Sequence, residues 1–310
     1  MTGILLAMQG AVSQGILWSI LALGIYITYR LLDIADLSVD GTFATGGCTL
    51  AALITLGMKP LPALLIATLA GAAGGWLTGF LTTKCKIPAI LAGILTQLSL
   101  YSINLRIMGR SNLPLLKTTT LFKEITAATG MDSTLVVLII GLLFAAAVIA
   151  LMYWFFGTEI GSAIRATGSN ENMVRSLGVN TDNTKILGLV ISNGLVALSG
   201  ALVTQSQGYA DVKMGTGAIV IGLASIIIGE TMMRRRTNFA VRLACVVTGS
   251  VIYRIVVAVV LQMGLNTDDL KLFTAILVAV ALTIPVWMEK SGRRHMSRQN
   301  QIEGGDDSDA

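Results

Sequence analysis

The sequence predicts an all-α polytopic membrane protein with about nine, between eight and ten, transmembrane helices. Of its 310 residues, 54% are hydrophobic and only 13% are charged, whereas soluble domains carry about 25% charged residues. The mean hydropathy of the whole chain is +0.76. The apolar residues are grouped in runs of about 20, the length that a helix needs to cross the hydrocarbon core of a bilayer.

The apolar runs make residues 1–290 one membrane domain. Segment 2–10 is apolar but short, and it is either an interfacial helix or an extension of the first span. Residues 291–310 are first basic and then acidic without apolar periodicity, so we expect a disordered cytoplasmic tail. The predicted spans are 11–29, 37–56, 61–81, 89–108, 135–156, 186–204, 218–233, 240–262 and 272–288.

The basic residues predict the orientation of the chain. Most of the 22 Lys and Arg residues fall on the side that carries the long polar loop 157–185, and basic loops mark the cytoplasmic face. We therefore expect an outer N-terminus and a cytoplasmic C-terminus, with the basic edges against membrane lipids. Segment 106–123 is more basic than an outer loop should be. Nucleic acid is not an expected partner, because the basic residues are dispersed.

The sequence lacks the motifs of an enzyme. No Gly-Lys dipeptide occurs, which excludes a Walker A loop in this chain. Cys48, Cys85 and Cys245 lie far apart in or beside apolar runs, and the single histidine, His295, lies in the tail. We read the cysteines as small buried residues, and we expect neither a disulfide nor a metal site. No basic region precedes the first apolar run, so no cleavable signal peptide is expected.

Three glycines in the third span form a ladder of small residues. Gly71, Gly75 and Gly79 recur every four residues and therefore share one helix face. This spacing predicts that the backbone of another helix approaches closely there.

An acidic turn, ADLSVDGTFATGG (35–47), separates the first two spans. The second helix is expected to begin near Ser38, with Asp36 or Ser38 as its N-cap. Asp40 then lies near the positive end of the helix dipole, and Gly41 loosens the first turn or admits a neighbouring helix. The turn is either sunk into the protein, where protein or water must surround it, or an ordinary cytoplasmic loop.

Loop 157–185 is predicted to contain a short amphipathic helix. Asn170 caps its start and Gly178 ends it, and Met173, Val174 and Leu177 fall on one face. Such a helix either fills a groove on a partner protein or lies on lipid headgroups. The residues expected to form this surface are Arg165, Glu171, Asn172, Met173, Arg175, Leu177 and Gly178.

Polar residues inside the spans are candidates for a translocation pathway. Gln97, Tyr101 and Asn104 are spaced to share a face of the fourth span. Hydrogen bonds between helices are the alternative role of each residue. The full set of pathway candidates is Asp40, Gln97, Tyr101, Asn104, Asn193 and Arg254.

Arg254 is the one full positive charge well inside a predicted span. Such a charge should face water or pair with a carboxylate. Glu230 and Asp40 are the candidate partners.

Three stretches carry a family resemblance. DLSVDGTFATGG (36–47) resembles the signature turn of ABC importer permeases in the branched-chain amino acid, ribose and nucleoside permease superfamily. GTEIGSAIRATGSNENMVRSLGVNTDNTKILGLVISNGLVALSGAL (157–202) resembles the coupling loop of that superfamily and the helix after it. With GYADVKMGTGAIVIGLASIIIGE (208–230), the pattern is most similar to the branch associated with tryptophan/tyrosine uptake. The likeness covers about residues 10–290.

This resemblance implies a type II-like importer fold and a permease subunit in a bacterial inner (cytoplasmic) membrane. It implies three partners: an extracytoplasmic solute-binding protein, a separate ATP-binding subunit that holds ATP and Mg, and a second copy of the chain. The implied substrate is an amino acid, aromatic or branched-chain. The alternatives are a sugar or nucleoside permease and an ATP-independent secondary transporter, which often shows an inverted repeat.

Overall fold

A computed structural model describes residues 2–116, 118–232, 238–262, 272–276, 278–280 and 283. The predicted tail 291–310 and eight of the 17 residues of the predicted span 272–288 lie outside the described residues. The described elements, in chain order, are α1 (Thr2–Tyr26), a π-helical segment (Ile27–Leu31), α2 (Val39–Thr55), α3 (Pro60–Thr83), α4 (Ala89–Met108), β1 (Asn112–Pro114), α5 (Leu121–Thr129), α6 (Ser133–Phe156), α7 (Glu159–Ser169), α8 (Glu171–Ser176), α9 (Thr181–Gln207), β2 (Tyr209–Asp211), α10 (Ala218–Thr231) and α11 (Phe239–Gln262).

Six of the described helices are long and apolar enough to cross a membrane. Two further predicted spans correspond to shorter helices, α2 with 17 residues and α10 with 14 residues. The helical, multi-span class is therefore confirmed, but the count of about nine transmembrane helices is not. The six are Met8–Leu31, Pro60–Thr83, Ala89–Met108, Ser133–Phe156, Thr181–Gln207 and Phe239–Gln262.

The short helix α2 forms the centre of the bundle. Every residue from 41 to 51 is buried, and α2 packs against α3, α4 and α9. The ring of Phe43 lies 4.8 Å from the ring of Trp18 on α1. A helix that is buried on all sides needs no charged face, and the polar side chains of this stretch are three buried threonines, Thr42, Thr45 and Thr49.

The predicted glycine ladder is confirmed, and the helix that approaches it is α9. A Cβ atom added to Gly75 would lie 2.8 Å from the Cβ of Asn193, and one added to Gly79 would lie 3.0 Å from the Cα of Ile186. Because any larger residue would collide with α9, these glycines set the separation of the two helices.

Segment 109–132 carries structure that the sequence did not predict. Strand β1 pairs antiparallel with β2, with Asn112 opposite Asp211. Thr120 is the N-cap of α5, and its hydroxyl accepts a hydrogen bond from the backbone N–H of Lys123. The Lys123 ammonium donates hydrogen bonds to three backbone carbonyls at 3.0 to 3.1 Å. The Lys123 ammonium therefore binds backbone carbonyls of its own segment.

Candidate functional site

The acidic turn reaches the interior of the bundle. Asp36 is buried, and one of its carboxylate oxygens accepts hydrogen bonds from the Ser38 backbone at 2.9 Å and the Ser38 hydroxyl at 2.5 Å. The other oxygen accepts a hydrogen bond of 2.7 Å from the side-chain amide of Asn193, which lies near the midpoint of α9. The turn is therefore sunk into the protein and is not an ordinary surface loop.

The expected N-cap position of α2 at Ser38 is confirmed, but the capping hydrogen bond from the helix to the Ser38 side chain is absent. Its hydroxyl donates to Asp36 instead, and a buried carboxylate without hydrogen-bond donors would be costly. Asp36, Ser38 and Asn193 thus hold the turn in place.

Asp40 joins the beginnings of two helices. It lies in the first turn of α2, and its two carboxylate oxygens accept hydrogen bonds from the backbone N–H groups of Gly217 at 2.9 Å and Ile219 at 3.0 Å. Those groups belong to the start of α10. The positive ends of both helix dipoles therefore meet at one negative charge, which stabilises them.

Gly41 admits a neighbouring helix next to this carboxylate. A Cβ atom on Gly41 would lie 3.0 Å from the Cα of Gln97 on α4. The close approach brings one face of α4 to the start of α2, where the loop before α10 also arrives.

A cavity of about 330 Å³ opens where these elements meet. Four of the six predicted pathway residues line it, namely Asp40, Gln97, Tyr101 and Asn104. The helical spacing of the three α4 residues therefore does place them on a common surface, although their role in translocation stays a prediction. The other lining residues are Gly41, Leu98, Val212, Lys213 and Thr216.

Asn104 differs from the other polar residues of the cavity. Its side chain is fully buried at 0% exposure, and neither its amide nitrogen nor its amide oxygen has a hydrogen-bond partner. Such unpaired polar groups are rare inside proteins.

A second surface is formed by α7 and α8. The side-chain oxygen of Asn170 accepts a hydrogen bond of 3.0 Å from the backbone of Met173, and Gly178 has a φ of +85° just after the helix. Both predicted ends of α8 are confirmed. Met173 and Leu177 are 49% and 73% exposed, whereas Val174 is 2% exposed. Val174 therefore packs inward, and the predicted shared face of these three residues is wrong for Val174.

Glu171 fastens α8 to the start of α9. Its carboxylate accepts hydrogen bonds from the ammonium of Lys185 at 2.6 Å, the guanidinium of Arg175 at 3.1 Å and the hydroxyl of Thr181 at 3.1 Å. The bond from Lys185 is the largest cause of a lowered pKa at Glu171. Glu171 and Arg175 are thus internal braces of the surface.

The remaining residues of the predicted coupling surface differ in exposure and contacts. Asn172 is exposed on α8. The Arg165 guanidinium lies 5.6 Å from the ring centroid of Phe239, at the start of α11, so this residue braces α7.

Comparison with known proteins places the chain in a family. The family model described as branched-chain amino acid transport system / permease component matches residues 7–284. This chain is a member of that permease family. The permease is 40% identical over 300 residues to the tyrosine transport system permease protein of Clostridioides difficile, which covers 95% of this chain and 98% of the relative.

More distant relatives agree with this membership. The permease is 27% identical over 217 residues to the ribose import permease protein of Escherichia coli K12, covering 69% of this chain and 66% of that protein. Among solved structures, PsaBC from Streptococcus pneumoniae in complex with Fab matches with a TM-score of 0.50 and 15% identity, over 89% of each chain. That likeness concerns the fold alone.

The expected carboxylate partners of Arg254 in this permease are wrong. Glu230 forms an ion pair with Arg30, and Asp40 is bonded to the start of α10. The Arg254 guanidinium instead lies 4.1 Å from the ring centroid of Trp18, and it makes no ion pair with any described residue. An aromatic face attracts a cation without adding a second charge to a buried site.

Sequence reasoning missed Lys213 and partly misjudged the cysteines of the permease. Lys213 lines the cavity, yet a lysine in a short loop gives no signal of its own. The signal that could have identified Lys213 is its position within the stretch 208–230, which carries the family resemblance. Cys48 is buried as expected, but Cys85 is exposed. Within the described ranges, no three His, Cys, Asp or Glu side chains form a metal-binding group.

Proposed function

We propose that this permease is the membrane subunit of an ATP-driven importer that carries an amino acid, with an aromatic amino acid favoured. The observation that carries the proposal is the 40% identity to a tyrosine transport system permease protein across 95% of this chain. A similarity that spans nearly the whole length includes the cavity and the α7–α8 surface together. We place the permease in a bacterial inner (cytoplasmic) membrane, with a cytoplasmic C-terminus.

The α7–α8 surface is proposed to dock a separate ATP-binding subunit, which would hold ATP and Mg. Met173 and Leu177 present exposed apolar side chains on a helix that is firmly braced through Glu171. A rigid, exposed apolar anchor is what a groove on a partner recognises. Bracing against α9 supports this role, because movement of α8 would be passed to a helix that contacts the Asp36 turn.

A second copy of the chain and a solute-binding protein complete the proposed assembly. Helices α3 and α4 expose large apolar side chains, including Leu65, Leu69, Trp76, Leu95 and Leu98, which suit lipid or a second copy. Because Leu98 also lines the cavity, pairing of two copies along α4 would bring two cavities to a common central pathway. The solute-binding protein would deliver substrate to it from outside.

Two other functions have some support. The ribose import permease relative favours a sugar or nucleoside as the alternative substrate. The meeting of two short helices at Asp40 favours an ATP-independent secondary transporter as the second candidate class, because such transporters bind substrates at the ends of interrupted helices. The braced α7–α8 surface has no role in that second class.

Reconstitution into liposomes tests the proposal. The permease would be inserted with its ATP-binding subunit and supplied with its binding protein and labelled L-tyrosine. We expect uptake only when hydrolysable ATP is present with the ATP-binding subunit, and no competition by D-ribose. Uptake by the permease alone, driven by an ion gradient, would contradict the proposal.

A further inference from the structure

The cavity between α4 and the loop before α10 holds opposite charges. Asp40 contributes a carboxylate whose two hydrogen bonds from the α10 backbone leave lone pairs free for a further donor. Lys213 contributes an ammonium that is exposed and has no ion pair with a described residue. A ligand that carries both an ammonium and a carboxylate matches this pair of charges.

The unpaired amide of Asn104 is the second observation that points to a ligand. A buried polar group without a partner costs about 1 to 3 kcal/mol, and Asn104 leaves both its donor and its acceptor unpaired. The amide can donate to a carboxylate and accept from an ammonium. It therefore has the functional groups to bind either end of a zwitterion, and ligand binding would relieve the cost.

The rest of the cavity accommodates an apolar side chain. Leu98, Tyr101 and Val212 contribute apolar surface to its wall. Its volume of about 330 Å³ lies at the lower end of the range of roughly 300 to 1,000 Å³ for small-molecule sites. A single amino acid fits such a volume.

We infer that this cavity is a binding subsite for a zwitterionic α-amino acid with an apolar or aromatic side chain. The substrate ammonium binds at Asp40, the substrate carboxylate binds at Lys213, and Asn104 completes the hydrogen bonding. This inference rests on the proposed function and names the substrate chemistry of that pathway. A neutral sugar would have no use for the two charges.

Equilibrium binding to the full chain in lipid nanodiscs tests the subsite. The probe is tritiated L-tyrosine, measured by scintillation proximity without the ATP-binding subunit or binding protein. The competitors are tyramine, which lacks the carboxylate, and 3-(4-hydroxyphenyl)propionate, which lacks the ammonium. We expect unlabelled L-tyrosine to compete at least tenfold better than either, because each lacks one charged contact.

Two variants locate the binding. Asn104→Leu and Lys213→Met should each weaken L-tyrosine binding about tenfold, which corresponds to about 1.4 kcal/mol. Ser102→Ala, an exposed position on the same helix, and Lys59→Met, an exposed lysine before α3, are the matched controls and should bind like the wild type. Because Lys213 is exposed, its variant should fold even where Asn104→Leu does not.

The outcomes separate the subsite from the proposed function. Equal binding of L-tyrosine by wild type and Lys213→Met would overturn the subsite, as would equal competition by the two single-charge analogues. Absence of binding to the wild type in nanodiscs would also overturn it. In each case, ATP-dependent uptake of L-tyrosine by the complete wild-type assembly would still support the proposed function. Absence of that uptake by the wild-type assembly would contradict the proposed function.

Discussion

The carboxylate of Asp40 lies 2.9 Å from the backbone nitrogen of Gly217, a residue 177 positions later in the chain. This hydrogen bond joins the start of α2 to the start of α10, beside the cavity. Two short helices that meet in the protein interior would otherwise place their positive ends together without compensation. Asp40 is thus a structural link as well as a wall of the cavity.

Replacing Asp40 by Asn should weaken this link. The substitution removes the charge and turns one acceptor oxygen into a donor that faces a backbone N–H group, at a cost of about 1.5 to 3 kcal/mol. We expect a lower midpoint of thermal unfolding in nanodiscs and a loss of uptake. Asp33→Asn is the matched control, because Asp33 is exposed in the same turn. Equal unfolding midpoints for the two variants would show that Asp40 is an ordinary solvated charge.

Replacing Asn193 by Ala should loosen the acidic turn. The buried carboxylate of Asp36 would lose its 2.7 Å donor, and the expected cost is about 1 to 3 kcal/mol. Thermal unfolding followed by size-exclusion chromatography measures the effect. Asn183→Ala, an exposed position in the first turn of α9, should unfold like the wild type. A wild-type midpoint for Asn193→Ala would contradict the interior position of the turn.

Replacing Gly75 by Val should push α3 away from α9. A Cβ at this position would come within 2.8 Å of the Asn193 Cβ, and forced overpacking of this kind costs about 1 to 3 kcal/mol. Ala73→Val, on the exposed side of the same helix, should be tolerated. The comparison uses the yield of monodisperse protein and its unfolding midpoint; tolerance of Gly75→Val would contradict the tight α3–α9 contact.

The contact between α8 and α9 through Glu171 should weaken at acidic pH. The folded-state pKa of Glu171 is lowered from its ordinary value of 4.5, first by its hydrogen bond from Lys185. The stabilisation is therefore fully present above the unfolded-state pKa and is lost as the pH falls through the folded-state pKa. We expect the protection factors of α8 amides to fall below about pH 4.5.

Glu171→Gln supplies the comparison for this pH effect. The amide cannot titrate, so α8 should be less protected at neutral pH and should lose little further protection in acid. Hydrogen exchange on the full chain, expressed as protection factors to remove the chemical effect of pH, makes the measurement. The same acid-induced loss in both proteins would show that Glu171 is not the titrating group.

The membrane helices were largely predictable from the sequence. The predicted fourth span coincides with α4 at both ends, and the predicted eighth span differs from α11 by one residue. Apolar length alone determines such helices, because the bilayer allows few alternatives. The ends of α8 were also predictable, since Asn170 and Gly178 act locally.

Contacts between distant segments were not predictable in the same way. The ring of Trp18 beside Arg254 and the pairing of Asn112 with Asp211 depend on how helices pack. Local sequence patterns therefore do not predict these contacts. The four pathway candidates in the cavity were found because polar residues in apolar runs stand out, whereas Lys213, in a polar loop, did not.

The most direct test of the proposed function is the docking of the ATP-binding subunit to α8. Met173 and Leu177 would both be changed to Asp, with Leu56 and Met58, exposed after the far end of α2, changed to Asp as the control. Membrane insertion is assayed in parallel by the amount of folded protein. We expect the ATP-binding subunit to co-purify with the wild type and the control but not with the α8 variant. Unimpaired co-purification with the α8 variant would contradict the assignment of α8 as the coupling helix.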